Sequence, residues 1–188
     1  MFEQLKNEIS NCVSLSDNEW GKVISYFTLI KVMRKTQLVK LDKIATELYF
    51  INKGAIRNYY LYDVEDLNVA FTFENSFITS LSSFLLQTPS KQVVEAMEDC
   101  ELLVLNKINY QKLNRDIINF NVLSRIIVEQ AMLKNEEQNS SLTFDTAEER
   151  YMKAREKQPL LFTRTPKQYL ASYLDIPLLY LTKMIENK

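Results

Sequence analysis

The sequence predicts an α+β protein that consists of an antiparallel β-domain, one long helix and a small helical domain ending in a helix-turn-helix. Three observations predict this order. Turn-forming residues recur about every 12 residues between Leu29 and Asn106, and the runs between them are apolar or alternating. Few helix-breaking residues occur from Lys107 to Asn139. The final stretch, Arg164–Lys188, contains two short helical patterns that meet at Asp175.

The composition is that of a folded protein with a core of its own. The chain has 188 residues, of which 46% are apolar, and its net charge is −1. No run approaches the roughly 18 apolar residues of a membrane span, and Met1–Ser10 is amphipathic and charged, unlike a secretory signal. We therefore expect a cytoplasmic protein that does not contact a membrane.

Catalytic and metal chemistry are not indicated. The chain has no histidine, and its cysteines, Cys12 and Cys100, lack metal-ligand spacing. No glycine-rich phosphate loop or paired nucleophile and base is present. The adjacent carboxylates at 136–137 and 148–149 diverge by about 100° on a helix. The sequence predicts no cofactor, no metal and no enzyme activity.

The N-terminal half begins with helices and continues as strands. A first helix is predicted around Phe2–Ile9, and a second begins at a capping box formed by Ser16 and Glu19. Gly54 follows Asn52 and Lys53, where a hairpin loop needs a positive φ. The predicted strands share a richness in Tyr, Phe, Val and Ile and are Leu48–Ile51, Ala55–Tyr62, Leu67–Phe73, Gln92–Met97 and Glu101–Leu105. Together they indicate a small antiparallel sandwich or barrel.

A long helix is predicted from about Asn119, with Leu123, Ile126 and Ile127 among its apolar residues. A helix of about 20 residues is roughly 30 Å long, more than a small sheet needs for its cover. Its apolar face suits a symmetric dimer contact, or else packing against the chain's own sheet. The segment from 140 to 143 breaks the pattern, so we place the boundaries at 1–118, 119–142 and 143–188.

The helical domain opens with a second capping box, formed by Thr146 and Glu149, on a charged helix that runs to about Lys157. Residues 145–188 carry eight basic and six acidic side chains, a net charge of +2. This excess is the sign expected for a nucleic-acid-binding segment, although a solvated helical face explains it equally well.

The final helix pair has a predicted cap, turn and recognition face. Thr165 is the predicted N-cap with Pro166 at the first helical position, and Asp175 tolerates the left-handed turn. The second helix follows from Pro177, with Leu181 at the centre of its inward face. Its inward neighbours are Leu178, Met184 and Ile185, and its outward residues are Leu179, Tyr180, Lys183, Glu186 and Asn187. The pair is a DNA-binding helix-turn-helix or a plain αα-hairpin.

The order and spacing of three segments resemble short regulators of the Crp/Fnr family. The segments are ELYFINKGAIRNYY at Glu47–Tyr60, the run Phe73–Leu103, and AEERYMKAREKQPLLFTRTPKQYLASYL at Ala147–Leu174. The resemblance implies a cyclic-nucleotide-binding-like domain, which is an antiparallel double-stranded β-helix or jelly roll. It also implies a long dimerisation helix, a DNA-binding helix-turn-helix, and a cytoplasmic homodimer whose partner is double-stranded DNA.

The segments that correspond to the family's nucleotide pocket depart from its pattern. Where nucleotide-binding members have Gly-Glu-Leu and Arg-Ser-Ala, this chain has Thr79–Phe84 and Ser90–Gln92, without the Glu or the Arg. Lysine supplies only a point charge where arginine grips phosphate with two nitrogens, so Lys91 is a poor replacement. We therefore expect that cyclic AMP is not the effector. Ser80, Ser82 and Ser83, with Lys91, are candidates to line a pocket for another small molecule, or form a serine-rich surface turn.

The recognition segment departs as well, because Pro177–Lys183 is largely apolar where short family members begin with a Thr-Pro-Glu-Thr-Leu-Ser-Arg-like sequence. Lys183 is a candidate for a guanine edge, Thr182 for a base or phosphate, and Leu179 for a thymine methyl. The further candidates for DNA contact are Lys167 and Gln168, at phosphates, and Tyr180.

Two hypotheses follow from the sequence. The first is a dimeric, sequence-specific transcription regulator controlled by an effector other than cyclic AMP or by none. The second is a derived module that does not bind DNA and docks another protein through the apolar face around Leu179 and Tyr180.

Overall fold

The computed structural model describes residues 1–63 and 65–186. The predicted outward residue Asn187, together with Lys188 and Val64, lies outside this described part. The helices are α1 (Glu3–Cys12), α2 (Asp17–Ile24), α3 (Leu81–Leu86), α4 (Lys107–Asp116), α5 (Ile118–Phe144), α6 (Ala147–Lys157), α7 (Leu160–Arg164), α8 (Lys167–Leu174) and α9 (Leu178–Glu186).

The strands form two antiparallel sheets. They are β1 (Thr28–Val32), β2 (Gln37–Val39), β3 (Glu47–Lys53), β4 (Ile56–Tyr62), β5 (Glu65–Thr72), β6 (Phe77–Ile78), β7 (Val93–Ala96) and β8 (Cys100–Asn106). Sheet A has the order β1-β8-β3-β6 and sheet B the order β2-β7-β4-β5. Successive strands therefore alternate between the sheets for most of the domain, which is the jelly-roll arrangement. The predicted fold class is confirmed.

Three apolar layers follow from the alternation of side chains along the strands. In β8, Leu102 and Val104 face the layer between the two sheets, whereas Leu103 and Leu105 face the opposite side of sheet A. That side is covered by α1, α2, α4 and the first half of α5. The outer side of sheet B contributes Phe71 to a third layer, shared with α6 to α9. Helices thus cover both faces of the sandwich.

The β-hairpin at Gly54 has the geometry that its sequence predicts. Gly54 adopts φ +109°, and a Cβ built there would lie 2.5 Å from the Cys100 Sγ atom. The short strands β1, β2 and β6 were not individually predicted, nor was the helix α3. The three strands are only two to five residues long, and pairing with strands distant in the chain stabilises them more than any local pattern does.

The long helix continues beyond its predicted end. The expectation that residues 140–143 break it is wrong, because α5 runs to Phe144. The hydroxyl of Thr143 donates to the carbonyl of Asn139 at 2.7 Å, and the hydroxyl of Ser141 donates to the Asp145 carboxylate at 2.6 Å. Hydroxyl groups bonded in this way are tolerated inside a helix. Within the described residues, no helix is long and apolar enough to cross a membrane.

Two details of the final helix pair differ from expectation. Thr165 does not cap α8, because Pro166 holds the N-cap position and the Thr165 hydroxyl is buried without a hydrogen-bond partner in the described part of the chain. Leu178 is exposed rather than inward, because it occupies the first turn of α9, before the helix reaches the core. Leu181 is fully buried, as predicted, and both capping boxes are present.

Candidate nucleic-acid interface

One arginine joins several segments of the head, which is defined here as α6 to α9. Arg150 on α6 donates from Nε to the Leu174 carbonyl at 2.6 Å and from one terminal nitrogen to the Asp175 carbonyl at 2.7 Å. Its other terminal nitrogen donates to the Asp145 carbonyl at 2.8 Å. Asp175 adopts φ +51°, the left-handed conformation expected at the turn between α8 and α9. The guanidinium therefore satisfies the carbonyl groups that the turn leaves free.

The outer face of α9 is exposed and largely apolar. Leu179 is 70% exposed and Tyr180 is 40% exposed. Lys183 is exposed and forms no ion pair with any described residue. Thr182 donates its hydroxyl hydrogen to the Leu178 carbonyl at 2.9 Å, one turn back in the same helix. The Tyr180 hydroxyl donates to the Glu148 carboxylate on α6, and this contact raises the pKa of Tyr180.

The start of α8 lies beside this face. Lys167 and Gln168 are both exposed there, and the Lys167 Nζ atom is 3.7 Å from a Glu186 carboxylate oxygen. A surface pair at that distance contributes about 0–1 kcal/mol, so Lys167 remains free to exchange its partner for a phosphate. This surface therefore presents two separated cations, Lys167 and Lys183, and the apolar side chains of α9. It suits contacts with the DNA phosphate backbone better than contacts with many bases.

The head is docked on sheet B through contacts that the sequence did not predict. The Ser172 hydroxyl donates to the Asp66 carbonyl at 2.8 Å and accepts from the Asn68 N–H at 3.0 Å. Arg164 pairs with Glu74 at 2.6 Å and also contacts Glu98. These pairs join residues that are far apart in the chain. They fix the head against its own β-domain.

A buried cation lies at the centre of this docking surface. The Arg57 side chain is 3% exposed, and its guanidinium lies 4.0 Å from the centre of the Tyr59 ring and 3.9 Å from that of Tyr169 on α8. It pairs with Glu95 at 2.9 Å and with Asp66 at 2.8 Å. Arginine is suited to this role because its planar group stacks on rings while it binds carboxylates in its own plane.

Comparison with known proteins identifies the fold. No protein-family model matches the chain, and no curated protein matches it. Among similar solved structures, FixK2 of Bradyrhizobium japonicum has a TM-score of 0.74 at 15% identity and covers 86% of this chain and 83% of its own. The c-di-GMP-responsive global regulator CLP of Xanthomonas campestris has a TM-score of 0.69 at 14% identity, with coverages of 92% and 91%. This chain has the fold of Crp/Fnr-family transcription regulators.

A third structure extends the same similarity. It is described as a regulator of the Crp/Fnr family from Eubacterium rectale and has a TM-score of 0.71 at 13% identity, covering 92% of this chain and 83% of its own. Coverage of this extent includes the β-domain, the long helix and the head together. These three structures are regulators rather than enzymes.

Within this Crp/Fnr fold, the four predicted effector-pocket residues are not gathered into one polar site. Ser80 and Ser90 are buried and share a hydrogen bond of 2.7 Å. Ser83 donates to the Thr88 carbonyl at 2.6 Å and accepts from the Ala45 N–H at 2.9 Å. Ser82 and Lys91 are exposed. The buried hydroxyls hold α3 against its neighbouring loops.

The predicted dimer residues on the long helix differ in burial. Leu123 is only 1% exposed and belongs to the layer beneath sheet A, where Ile127 packs beside it. The assignment of Leu123 to a dimer contact is therefore corrected, because its own core already buries it. Ile126 is half-buried and lies about 60° from Leu123 around the helix, at the edge of the core-facing side.

Proposed function

We propose that this protein is a dimeric transcription regulator of the Crp/Fnr family that binds double-stranded DNA through its head. One observation carries this proposal: the similarity of fold spans the β-domain, the long helix and the head as a unit, over 92% of this chain and 91% of CLP. The proposed parts are a β-domain at 1–118, a dimerisation helix at 119–142 and a DNA-binding domain at 143–188.

The proposed DNA contacts lie on α9 and at the start of α8. Lys183 is the candidate for a guanine edge because its ammonium is exposed and unpaired among the described residues. Leu179 would contact a thymine methyl and Thr182 a base or phosphate, and Tyr180 is a further candidate for DNA contact. Lys167 and Gln168 would contact phosphates, which position the protein without specifying sequence.

The proposed dimer contact runs along one flank of α5, about 90° around the helix from Leu123. At 100° per residue, this side carries Ile118, Val122, Ile126, Leu133 and Phe144. Leu133 is 65% exposed, and Ile118 and Phe144 are more exposed still. A helix of this length spans about 40 Å, enough for a two-fold contact that places two heads about 34 Å apart on DNA.

The proposed effector is a small molecule other than cyclic AMP, or the regulator has none. The chain has no arginine between Arg57 and Arg115. Arg57 is already engaged by Glu95 and Asp66 and stacked between two tyrosine rings. The Arg57 guanidinium is therefore not free to grip a cyclic phosphate.

The test is selection of binders from a random duplex DNA pool at low salt, with and without a small-molecule extract. We expect an enriched inverted repeat with half-sites about one helical turn apart. Lys183→Ala should weaken binding by about 1–3 kcal/mol and relax one base position in each half-site. Lys43→Ala, which removes an exposed lysine of the β-domain, should change neither.

The contrary result is no enriched motif under either condition, with no binding to bulk DNA near 50 mM salt, where phosphate contacts are strong. A second candidate function would then be favoured. The contiguous exposure of Leu178, Leu179 and Tyr180 on the first turn of α9 suits docking against another protein, because such a patch is stabilised by burial.

A further inference from the structure

A polar cavity of about 170 Å³ lies where the long helix meets the head. Its walls come from the last turns of α5, from α6 and from the end of α8. Four cations, Lys134, Arg150, Lys153 and Lys157, line it together with two carboxylates, Glu137 and Asp145. The lining therefore has a net charge of +2, in a chain whose overall net charge is −1.

Most of these charges are already paired. The Lys153 Nζ atom lies 2.7 Å from both carboxylate oxygens of Asp145, and this contact lowers the pKa of Asp145. Lys157 contacts the Glu137 carboxylate, and Arg150 is bound to backbone carbonyls. These interactions hold α6 against the end of α5. They leave the charge of Lys134 uncompensated.

Lys134 has no hydrogen bond or ion pair with any described residue. Its side chain is exposed at the mouth of the cavity, and the neighbouring protein lowers the pKa of its ammonium by desolvation. A partly desolvated cation without a counter-charge is stabilised by any anion that enters beside it. The cavity therefore favours a negatively charged occupant.

Tyr173 supplies a second donor to the same cavity. It is 4% exposed, and its hydroxyl accepts a hydrogen bond of 3.4 Å from Gln158, which also lines the cavity. Among the described residues, no acceptor receives the hydrogen of this hydroxyl. An oxyanion would accept from the Tyr173 hydroxyl and the Lys134 ammonium together.

We propose that this cavity binds a compact oxyanion of the phosphate class, held by Lys134 and Tyr173. Since one water occupies about 30 Å³, the space corresponds to about five or six waters. That volume admits inorganic phosphate, pyrophosphate or the phosphate end of a metabolite. The bound anion would contact both the long helix, through Lys134, and the head, through Tyr173. It would therefore stabilise one orientation of the head relative to the long helix.

The effect of this site on DNA affinity rests on the proposed function, but anion binding itself does not. The test is calorimetric titration of the full chain with pyrophosphate at constant ionic strength. We expect saturable binding by the wild type and at least a tenfold loss of affinity in Lys134→Met. Tyr173→Phe should lose about threefold or more, because it removes one hydroxyl donor and keeps the ring against Phe71.

The matched control is Lys43→Met, which removes an exposed lysine far from the cavity and should bind as the wild type does. Circular dichroism of each variant verifies that it is folded. The proposal is overturned if the wild type does not bind pyrophosphate, or if Lys134→Met binds it as tightly as Lys43→Met. Binding that depends on Lys134 in a protein that selects no DNA would uphold this site and reject the regulator function.

Discussion

The two glycines of the chain, Gly21 and Gly54, occupy opposite environments. Gly54 has φ +109°, and its Cα atom faces Cys100 so closely that a Cβ would lie 3.0 Å from the Cys100 Cα atom. Gly21 lies inside α2 with nothing within 4 Å of a built Cβ. A single backbone conformation at Gly54 therefore sets both the β3–β4 hairpin and its contact with β8.

We expect replacement of these two glycines by alanine to change the free energy of unfolding in opposite directions. Gly54→Ala should destabilise the protein by about 2–3 kcal/mol, because it combines a disfavoured positive φ with overlap against Cys100. Gly21→Ala should be neutral or stabilise by up to about 1 kcal/mol, because alanine favours the helix. Urea unfolding measures both. Equal effects of the two substitutions would contradict this account of Gly54.

The docking of α8 on sheet B depends on polar contacts at its edges as well as on Phe71. Glu74 is central to these contacts because it accepts from Arg164 of the head and from the Gly54 N–H of the hairpin. Partial burial alone raises the pKa of Glu74, but these hydrogen bonds outweigh it and lower the pKa to about 2. Protonation of one carboxyl therefore loosens the head and the hairpin together.

This pKa predicts how stability depends on pH. An unfolded glutamate titrates near 4.5, so the contact stabilises the folded protein fully above that pH and is lost as the pH falls from about 4.5 toward 2. Glu74→Gln should cost about 1 kcal/mol at pH 7, after solvent screening, and flatten the stability curve over this acid range. Chemical unfolding at a series of pH values measures this pH dependence of stability.

Glu129→Gln is the matched control, because Glu129 pairs with Arg125 one turn away and both side chains are exposed. It should keep the acid dependence of the wild type. If Glu74→Gln and Glu129→Gln gave the same curve, the Glu74–Arg164 contact would not stabilise the docked head.

The long helix α5 has one side in the core and one side without a partner in the described chain. Leu123 and Phe120 pack beneath sheet A, whereas Leu133 and Phe144 are exposed on the side that we propose for the dimer. The same helix leads directly into the head through Asp145. A contact between two copies of α5 would therefore determine the separation of two heads.

Leu133→Asp should convert a dimer to a monomer, because it places a carboxylate in an apolar contact without a partner. Met152→Asp, which changes an equally exposed apolar residue on α6, should leave the dimer intact. Sedimentation velocity over a range of protein concentrations measures the assembly. A wild type that is monomeric throughout, or a Leu133→Asp variant that is dimeric, would contradict the proposed dimer.

Local chemistry made several elements predictable from the sequence. The capping boxes at Ser16 and Thr146 each lie within four consecutive residues, and both are present. The turns at Gly54 and Asp175 need only one residue that tolerates positive φ. By contrast, Leu178 was placed inward because periodicity gives the direction of a side chain around its helix but not where the neighbouring core ends.

The sequence by itself determined the order of elements, the two capping boxes, the turns at Gly54 and Asp175, and the resemblance to Crp/Fnr regulators. Each of these depends on neighbouring residues or on their spacing. Only the tertiary structure decided which side of α5 is exposed and that Arg57 pairs with Glu95 while it stacks on Tyr169. It also decided which cations surround the cavity at Lys134. Those features join residues far apart in the chain. Their partners are set by the packing of sheets and helices, which no local pattern encodes.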